Sequence, residues 1–405
     1  MTATLHPATN PGPRAAAPMP LLVAMMVSSQ VAITIFLPSL PAMASSLGTS
    51  QAAVQAIIPA YLAAFGLAQL VVGPLADAFG RRRPLLIGLV LFTVASIACA
   101  AAPNITFLII ARIFQAIGGC ASIVIARAII RDTTEGAAST RAMAYLGMAL
   151  GITPAAVPLI GGQLEIAFGW QASFLATAAF GAAVTVATFT NLRETLPPTE
   201  RRTTKVGDLL RTYGRLVRMP VFVGYGLSVG FTGGAFQAYI AGAAVAYIVV
   251  MGVPPESLGL YIISVAVAYT VGNFASGRLS YRVHRHTMMW IGNALTIGGT
   301  ATTVVLALAG LATPITLIIP LTIYSAGSGF VVPNALAGGL NSVEPPYAGA
   351  AAALGGFAQM GCGVLTTLVV AVLIQTSFLQ VGAVMTASVA IAFLCFVMLV
   401  VRNSR

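Results

Sequence analysis

The sequence predicts an all-α polytopic membrane protein with twelve transmembrane helices in two pseudo-symmetric six-helix bundles. Of its 405 residues, 58% are hydrophobic and 7% are charged, whereas an average soluble domain carries about 25% charged residues. The apolar residues form long runs, and a membrane-spanning helix needs about 20 of them. A chain with so few charges cannot cover a water-facing surface, so its hydrophobic side chains must face lipid.

Twelve apolar runs are long enough to be spans. Their predicted bounds are 19–41, 52–75, 84–102, 105–130, 141–166, 171–191, 220–250, 257–277, 287–308, 313–333, 347–375 and 378–401. Residues 1–18 are rich in Pro, Ala and Thr and lack the pattern of a cleavable signal peptide, which predicts a disordered cytoplasmic tail. Residues 192–219 form the one long polar segment and predict a linker. The linker joins an N-terminal bundle, 19–191, to a C-terminal bundle, 220–401, and residues 402–405 close the chain.

The positions of lysine and arginine predict the orientation. Basic residues follow the second, fourth, sixth, eighth and twelfth spans, whereas the loops near Pro103, Phe168, Pro254 and Thr313 contain none. Loops rich in Lys and Arg face the cytoplasm. We therefore expect a multi-pass protein of the bacterial inner membrane with both termini in the cytoplasm.

An internal repeat supports transport by alternating access. The segments 73–83 and 277–285 both lie between the second and third spans of their bundle, and they are 204 residues apart. Two repeats that close around a midplane site and rock between two states are typical of secondary transporters.

Several other classes of protein are not supported by the sequence. The four cysteines stand alone in apolar stretches, so neither a disulfide framework nor a metal site is predicted. No phosphate-binding loop indicates use of ATP, and the net charge of +11 comes from short loops rather than from a nucleic-acid-binding patch. An enzyme would need converging catalytic groups at midplane, and a sensor would normally need a signalling appendage. We expect no enzymatic activity and no cofactor.

The loop after the second span carries a family signature. It reads Gly73-Pro-Leu-Ala-Asp77-Ala-Phe-Gly80-Arg81-Arg82-Arg83 and resembles the signature loop of the major facilitator superfamily. The resemblance implies a conformational latch that stabilises the outward-open state. In it, Asp77 would cap the start of the eleventh helix near 346–349, and Arg81 would pair with Asp132 at the end of the fourth span. The second copy of the loop retains its basic residues but not the acid.

Further motifs resemble one branch of that family, the drug:proton antiporters of the bicyclomycin- and chloramphenicol-resistance type. These motifs are Leu37-Pro38 in span one, Arg112 to Gly119 in span four and Pro158-Leu-Ile-Gly161-Gly162 in span five, with Pro154 before it. Thr153 and Val157 stand where the span-five pattern has glycines. The branch implies proton-coupled efflux of drug-like small molecules, with protons, substrate and the lipid bilayer as partners. Separately, we expect a monomer.

Arg112 is the one basic residue placed well within a span. A charge at the bilayer centre costs about 2.5–3.5 kcal/mol on insertion scales and usually marks a substrate or ion pathway. Gln115 lies three residues on and shares its helix face. The alternative is an arginine that extends to the outer interface.

The branch usually carries an acid in span one, and here Thr34 occupies that position. All nine acids lie outside the membrane centre, so proton coupling would need Asp77, Asp132, Glu165 or the substrate itself. A cavity with an arginine and no carboxylate predicts neutral or anionic substrates. The rival interpretation is a dedicated exporter or importer of one metabolite, such as an amino-acid derivative or a siderophore-like compound.

Polar and aromatic side chains on apolar walls suit loosely specified organic ligands. The predicted substrate-binding set is Gln30, Thr34, Arg112, Gln115, Phe231, Gln237, Tyr239, Tyr269, Asn273, Tyr324 and Gln359. Each of these residues has ordinary helix packing as its alternative role.

Overall fold

The secondary structure consists of helices, without strands, in the part of the chain that the structure describes. A computed structural model describes residues 17–134, 136–201, 206–344, 347–373 and 377–403. Most of the predicted tail, the middle of the linker and the last two residues lie outside those ranges. The protein is an all-α polytopic membrane protein of the predicted class.

Fifteen α-helices follow one another along the described residues. The N-terminal bundle contains α1 (Met19–Thr34), α2 (Leu40–Ser46), α3 (Gln51–Gln55), α4 (Ile57–Phe79), α5 (Arg82–Ala100), α6 (Ile105–Thr133), α7 (Gly136–Phe168) and α8 (Gln171–Asn191). Helix α9 (Val206–Val217) belongs to the linker. The C-terminal bundle contains α10 (Pro220–Ala244), α11 (Leu258–Leu279), α12 (Arg285–Leu308), α13 (Ile318–Asn341), α14 (Ala348–Leu373) and α15 (Phe378–Cys395).

These helices supply the twelve predicted spans. Ten stretches of the described chain are long and apolar enough to cross a membrane. Helices α7 and α13, with 33 and 24 residues, are the other two. The first span combines α1 and α2 around a 3₁₀ turn at Leu37–Ser39, because Pro38 and Pro41 lack the N–H that a continuous helix needs.

The predicted bounds of the tenth span were wrong. The sequence placed it at 313–333, but α13 begins at Ile318 and continues to Asn341. The hydroxyls of Thr313 and Thr316 bond local backbone groups and hold residues 311–316 in a turn. Pro333 lies inside the helix rather than at its end, because bundle packing tolerates a proline kink within a membrane helix.

Glycine contacts repeat between the two bundles. A Cβ on Gly118 would lie 2.5 Å from the Gly88 carbonyl oxygen, and a Cβ on Gly327 would lie 2.7 Å from the Gly292 carbonyl oxygen. Gly88 and Gly292 are 204 residues apart, as are the two basic loops. Helices α5 and α6 therefore approach each other as α12 and α13 do, through small residues that let the two backbones come close.

The two bundles contact each other chiefly through α4 with α14 and α7 with α11. We call the end that carries the arginine-rich loops the basic end, and the other the opposite end. At the opposite end, one hydrophobic core joins both bundles and includes Phe36, Leu40, Tyr247, Leu258 and Phe378, each fully buried. Towards the basic end, the bundles have separate cores. The protein is thus sealed at the opposite end.

Linker helix α9 touches both bundles at the basic end. The Tyr213 hydroxyl donates to the Leu70 carbonyl of α4 over 3.1 Å, and an Arg215 nitrogen donates to the Tyr347 hydroxyl over 3.2 Å. The helix adds local structure to a segment for which the sequence had predicted only a polar connection.

Candidate functional site

Arg112 lies at the centre of the N-terminal bundle and connects four of its helices. The side chain, on α6, is 1% exposed. Its Nη1 donates to the Ala32 carbonyl of α1 over 2.7 Å and to Gln115 Oε1 over 2.6 Å. Gln115 Nε2 in turn donates to the Ser96 hydroxyl of α5 over 2.7 Å. The guanidinium is therefore oriented by neutral acceptors.

Two aromatic rings complete the surroundings of this charge. The guanidinium carbon lies 4.6 Å from the Phe36 ring centroid and 4.3 Å from that of Tyr61 on α4. Within the described residues, no carboxylate lies within 4 Å of Arg112, and its Nε has no hydrogen-bond partner. The faces of aromatic rings attract cations. Arg112 is thus stabilised by π faces and carbonyl dipoles, without a counter-ion.

The other predicted substrate-binding residues divide into two groups. Thr34, Tyr239 and Tyr324 are buried: Thr34 donates to the Gln30 carbonyl over 3.1 Å, and Tyr324 donates to the Thr232 carbonyl over 2.9 Å. The partly accessible group is Gln30, Phe231, Gln237, Tyr269, Asn273 and Gln359. Gln237 and Gln359 both lie at the contact between α10 and α14.

Aromatic residues that sequence reasoning missed line the sealed opposite end. Phe36 stacks on Phe174 with ring centroids 5.7 Å apart. Across the C-terminal bundle, Tyr247 stacks on Tyr261 at 5.3 Å and lies 6.1 Å from Phe378. Tyr247 belongs to a π-helical segment, Val245–Val250, that extends α10, and such segments are frequent at functional sites.

The span-five motif lies on α7 against the first span. Pro154, Pro158, Gly161 and Gly162 are all buried in that helix. A Cβ built on Gly161 would collide with the backbone carbonyl of Ile35. Only a glycine allows this approach of α7 to the end of α1.

We expect Gly161→Ala to destabilise the protein by about 1–3 kcal/mol, because the added methyl overpacks a backbone contact. Thermal unfolding of the purified full chain measures the change. Gly298→Ala is the matched control: it also lies within a helix, but open space surrounds its Cβ position. Equal melting temperatures for wild type and Gly161→Ala would contradict the close contact.

The basic loop after α4 is held by acids of its own bundle. Arg81 is 3% exposed and bonds Asp77 and Asp132, the latter over 2.7 Å between Nε and Oδ2. The Asp77 side chain is 46% exposed, and Gly73 has open space around its Cβ position. The predicted contact of Asp77 with residues 346–349 stays a prediction, because residue 346 lies outside the described residues.

Glu194, at the start of the linker, is a further partner of this loop that the sequence did not single out. Its carboxylate accepts the backbone N–H of Arg81 over 2.8 Å and that of Arg82 over 3.2 Å, at the start of α5. Gly80 has φ of 88°, and a Cβ there would collide with Glu194. The signal for this role was a single acid directly after span six.

The chemistry of this contact shifts the acidity of Glu194. Burial alone would raise the pKa of the carboxyl, but backbone donors from Leu196, Arg81 and Arg82, together with the charge of Arg201, lower the pKa below its usual range. These donors stabilise the charged form.

We expect acid to weaken this contact. Because the folded-state pKa of Glu194 is lowered, its stabilisation is complete above the ordinary glutamate pKa of about 4.3 and is lost as pH falls through the folded-state value. Glu194→Gln should lower stability at pH 7 by about 2 kcal/mol and should lose less on acidification. Thermal unfolding at pH 7 and below pH 4 tests this, with the exposed Glu344→Gln as control. A wild-type acid response in Glu194→Gln would contradict it.

Apolar helices in two repeated bundles, a seal at one end and a buried arginine inside one bundle, all within the described residues, fit a polytopic membrane transporter. The Major Facilitator Superfamily profile matches residues 22–367. The chain belongs to the major facilitator superfamily.

Individual relatives cover almost the whole chain. The chain is 31% identical to the "Uncharacterized MFS-type transporter YdgK" of Bacillus subtilis, over 93% of both proteins. It is 31% identical to "Multidrug resistance protein D" of Escherichia coli over 95% of this chain and 96% of that protein. A "Bicyclomycin resistance protein homolog" of Haemophilus influenzae is 24% identical over 92% and 93% of the two chains.

Solved transporter structures share the fold. The Escherichia coli xylose transporter XylE in a partially occluded inward-open conformation matches with a TM-score of 0.73 at 13% identity, covering 94% of this chain and 97% of that one. The human organic anion transporter MFSD10 matches with a TM-score of 0.68 at 17% identity, covering 94% and 98%.

Proposed function

We propose that this protein is a secondary active transporter that exports small, drug-like organic molecules by alternating access. Its family membership and the names of its relatives, multidrug and bicyclomycin resistance proteins, support export of such compounds. With the basic loops in the cytoplasm of the bacterial inner membrane, the sealed opposite end faces outwards. The structure would then correspond to a state that faces the cytoplasm, from which an exporter loads its substrate.

The substrate class is inferred from the charge of Arg112, which has no acidic partner among the described residues. A guanidinium held, among the described residues, by carbonyl oxygens and aromatic faces repels organic cations and tolerates neutral or anionic compounds. Substrate would pass the partly accessible face formed by Gln30, Phe231, Gln237 and Gln359. Rocking of the bundles would bring it alongside Phe36 and Tyr61, the two rings that cover Arg112.

Glu165 is the acid best placed to couple transport to protons. Asp77 and Asp132 are both bonded to Arg81. One carboxylate oxygen of Glu165, near the opposite end of α7, is buried and has no hydrogen-bond partner in the described part of the chain.

The experiment that tests the proposal uses an efflux-deficient bacterium expressing the full chain. Growth inhibition is compared across neutral, anionic and cationic antimicrobials, with accumulation measured before and after an uncoupler. We expect resistance to neutral and anionic compounds that disappears on uncoupling, and little resistance to a permanent cation such as ethidium. Efficient pumping of ethidium would reject the substrate class.

Glu165→Gln should reduce efflux, whereas the same change at Glu256 should not. Equal efflux in both variants would reject Glu165 as the coupling group.

A second candidate function is a dedicated carrier of one metabolite, such as an amino-acid derivative or a siderophore-like compound. The observation that favours it is Thr34, which bonds its own helix where the drug-exporting branch usually has an acid. An absence of resistance, with the protein shown to be in the membrane, would favour this function over drug export.

A further inference from the structure

A cavity opens at the basic end of the C-terminal bundle, away from the contact between the bundles. Its volume is about 910 Å³, within the range of small-molecule sites. It lies between the α11–α12 turn, α13 and the end of the last span. Its lining consists of Ser280, Val283, His284, Arg285, His286, Met288, Asn334, Ala337 and Val401.

The internal repeat shows that the C-terminal loop lacks the two acids of the N-terminal loop. A shift of 204 residues, the spacing of Gly88 and Gly292, places Arg285 at the position of Arg81 and Tyr281 at that of Asp77. A shift of 209 residues, the spacing of Gly118 and Gly327, places Asn341 at the position of Asp132. The C-terminal loop has kept the arginine and replaced both acids with neutral residues.

Arg285 has no acidic partner in the described ranges, and the neighbouring His284 accepts the backbone N–H of His286 at Nδ1 over 3.3 Å. Arg81 bonds two carboxylates, but no acid in the part of the chain that the structure describes lies within 4 Å of Arg285 or His284. Further arginines occupy the same end of the bundle, at 278, 282 and 402. The cavity therefore lies beside Arg285, where the N-terminal bundle has the carboxylates that bond Arg81.

The walls of the cavity are held in place by contacts of their own. His286 Nε2 lies 3.1 Å from the Tyr225 hydroxyl, and its ring packs edge-on against Phe396 with centroids 5.8 Å apart. Asn334 Nδ2 donates to the Ser276 hydroxyl and to the Phe330 carbonyl, both over 2.8 Å. A ligand would enter a site that is already formed.

We propose that this cavity binds an anionic phosphate group, held chiefly by Arg285 and His284. Guanidinium groups form strong, charge-assisted hydrogen bonds with phosphate oxygens. Basic pockets between membrane helices on the cytoplasmic side suit anionic lipid head groups. The neighbouring Phe274 and Tyr281 side chains are 64% and 92% exposed, so exposed aromatic surface adjoins the cavity. The phosphate comes either from an anionic phospholipid or from a soluble phosphorylated compound.

The test measures binding to the purified full chain by native mass spectrometry. One arm titrates phosphatidylglycerol against phosphatidylcholine, and the other titrates inorganic phosphate in neutral detergent. The variants are Arg285→Gln, Arg285→Lys and the control Arg278→Gln. Arg278 has the same charge and stacks on Phe274 at 5.0 Å, but it does not line the cavity. Helix content by circular dichroism verifies that each variant is folded.

We expect phosphatidylglycerol to bind more tightly than phosphatidylcholine, with a loss of roughly tenfold or more in Arg285→Gln. Arg285→Lys should retain part of that affinity, and Arg278→Gln all of it. Binding of inorganic phosphate that depends on Arg285 in the same way would support the site and assign it to a soluble ligand. Equal affinities in wild type and Arg285→Gln in both arms, or equal losses in Arg285→Gln and Arg278→Gln, would overturn the proposal.

Discussion

Replacing Arg112 with alanine is expected to reduce transport by roughly 10- to 100-fold. The side chain donates two hydrogen bonds, to the Ala32 carbonyl and to Gln115, and hydrogen bonds that involve a charged group contribute about 1.5–3 kcal/mol each. Its loss also removes the positive charge between Phe36 and Tyr61. Contacts between α6, α1 and α5 that position the pathway would be lost together.

Initial rates of uptake into inverted membrane vesicles measure this loss. Arg112→Lys restores the charge but not the planar guanidinium, so its rate should fall between those of wild type and the alanine variant. Arg112→Met removes the charge at similar length and should impair anionic compounds more than neutral ones. Arg127→Ala, an exposed arginine on the same helix, is the control. An equal reduction for neutral and anionic compounds in Arg112→Met would indicate a purely structural arginine.

Arg81→Gln is expected to cost about 3 kcal/mol of stability and to impair conformational cycling. Arg81 is nearly buried, and its Nε lies 2.7 Å from Asp132, whose side chain is 10% exposed. Removing one partner of a buried ion pair is strongly destabilising. The bond to Asp77 should contribute less, since water reaches 46% of the Asp77 side chain.

A double-mutant cycle separates the two bonds. Unfolding is measured for Arg81→Gln, Asp132→Asn and the double variant, and then for the corresponding set with Asp77→Asn. The coupling energy should be larger for Asp132 than for Asp77. Arg83→Gln, an exposed arginine of the same loop, is the control and should change stability little. A larger coupling to Asp77 would mean that the exposed acid, rather than the buried one, holds the loop.

Much of the fold could be predicted because the determining signals are local. The length of an apolar run and its flanking arginines are sufficient to predict a span, and ten of the twelve are also recognised in the structure by length and composition alone. The tenth span was misplaced because the sequence began it within the turn held by Thr313 and Thr316 and ended it at Pro333, whereas α13 packs against α11 and α12 with that proline inside the helix. The family was predictable because the glycines, the acid and the arginines of the loop from Gly73 to Arg83 form one continuous motif in the sequence.

The sequence by itself determined the helices, the repeat and the presence of an arginine within span four without an acid in span one. Only the tertiary structure decided what surrounds that arginine, because Ala32, Phe36 and Tyr61 come from other parts of the bundle to contact it. It also decided that Glu194 bonds a loop more than a hundred residues earlier in the chain. Composition and spacing indicate which segments lie in the membrane and which lie in water. The contacts of Arg112 and Glu194 depend instead on how separate parts of the chain pack together.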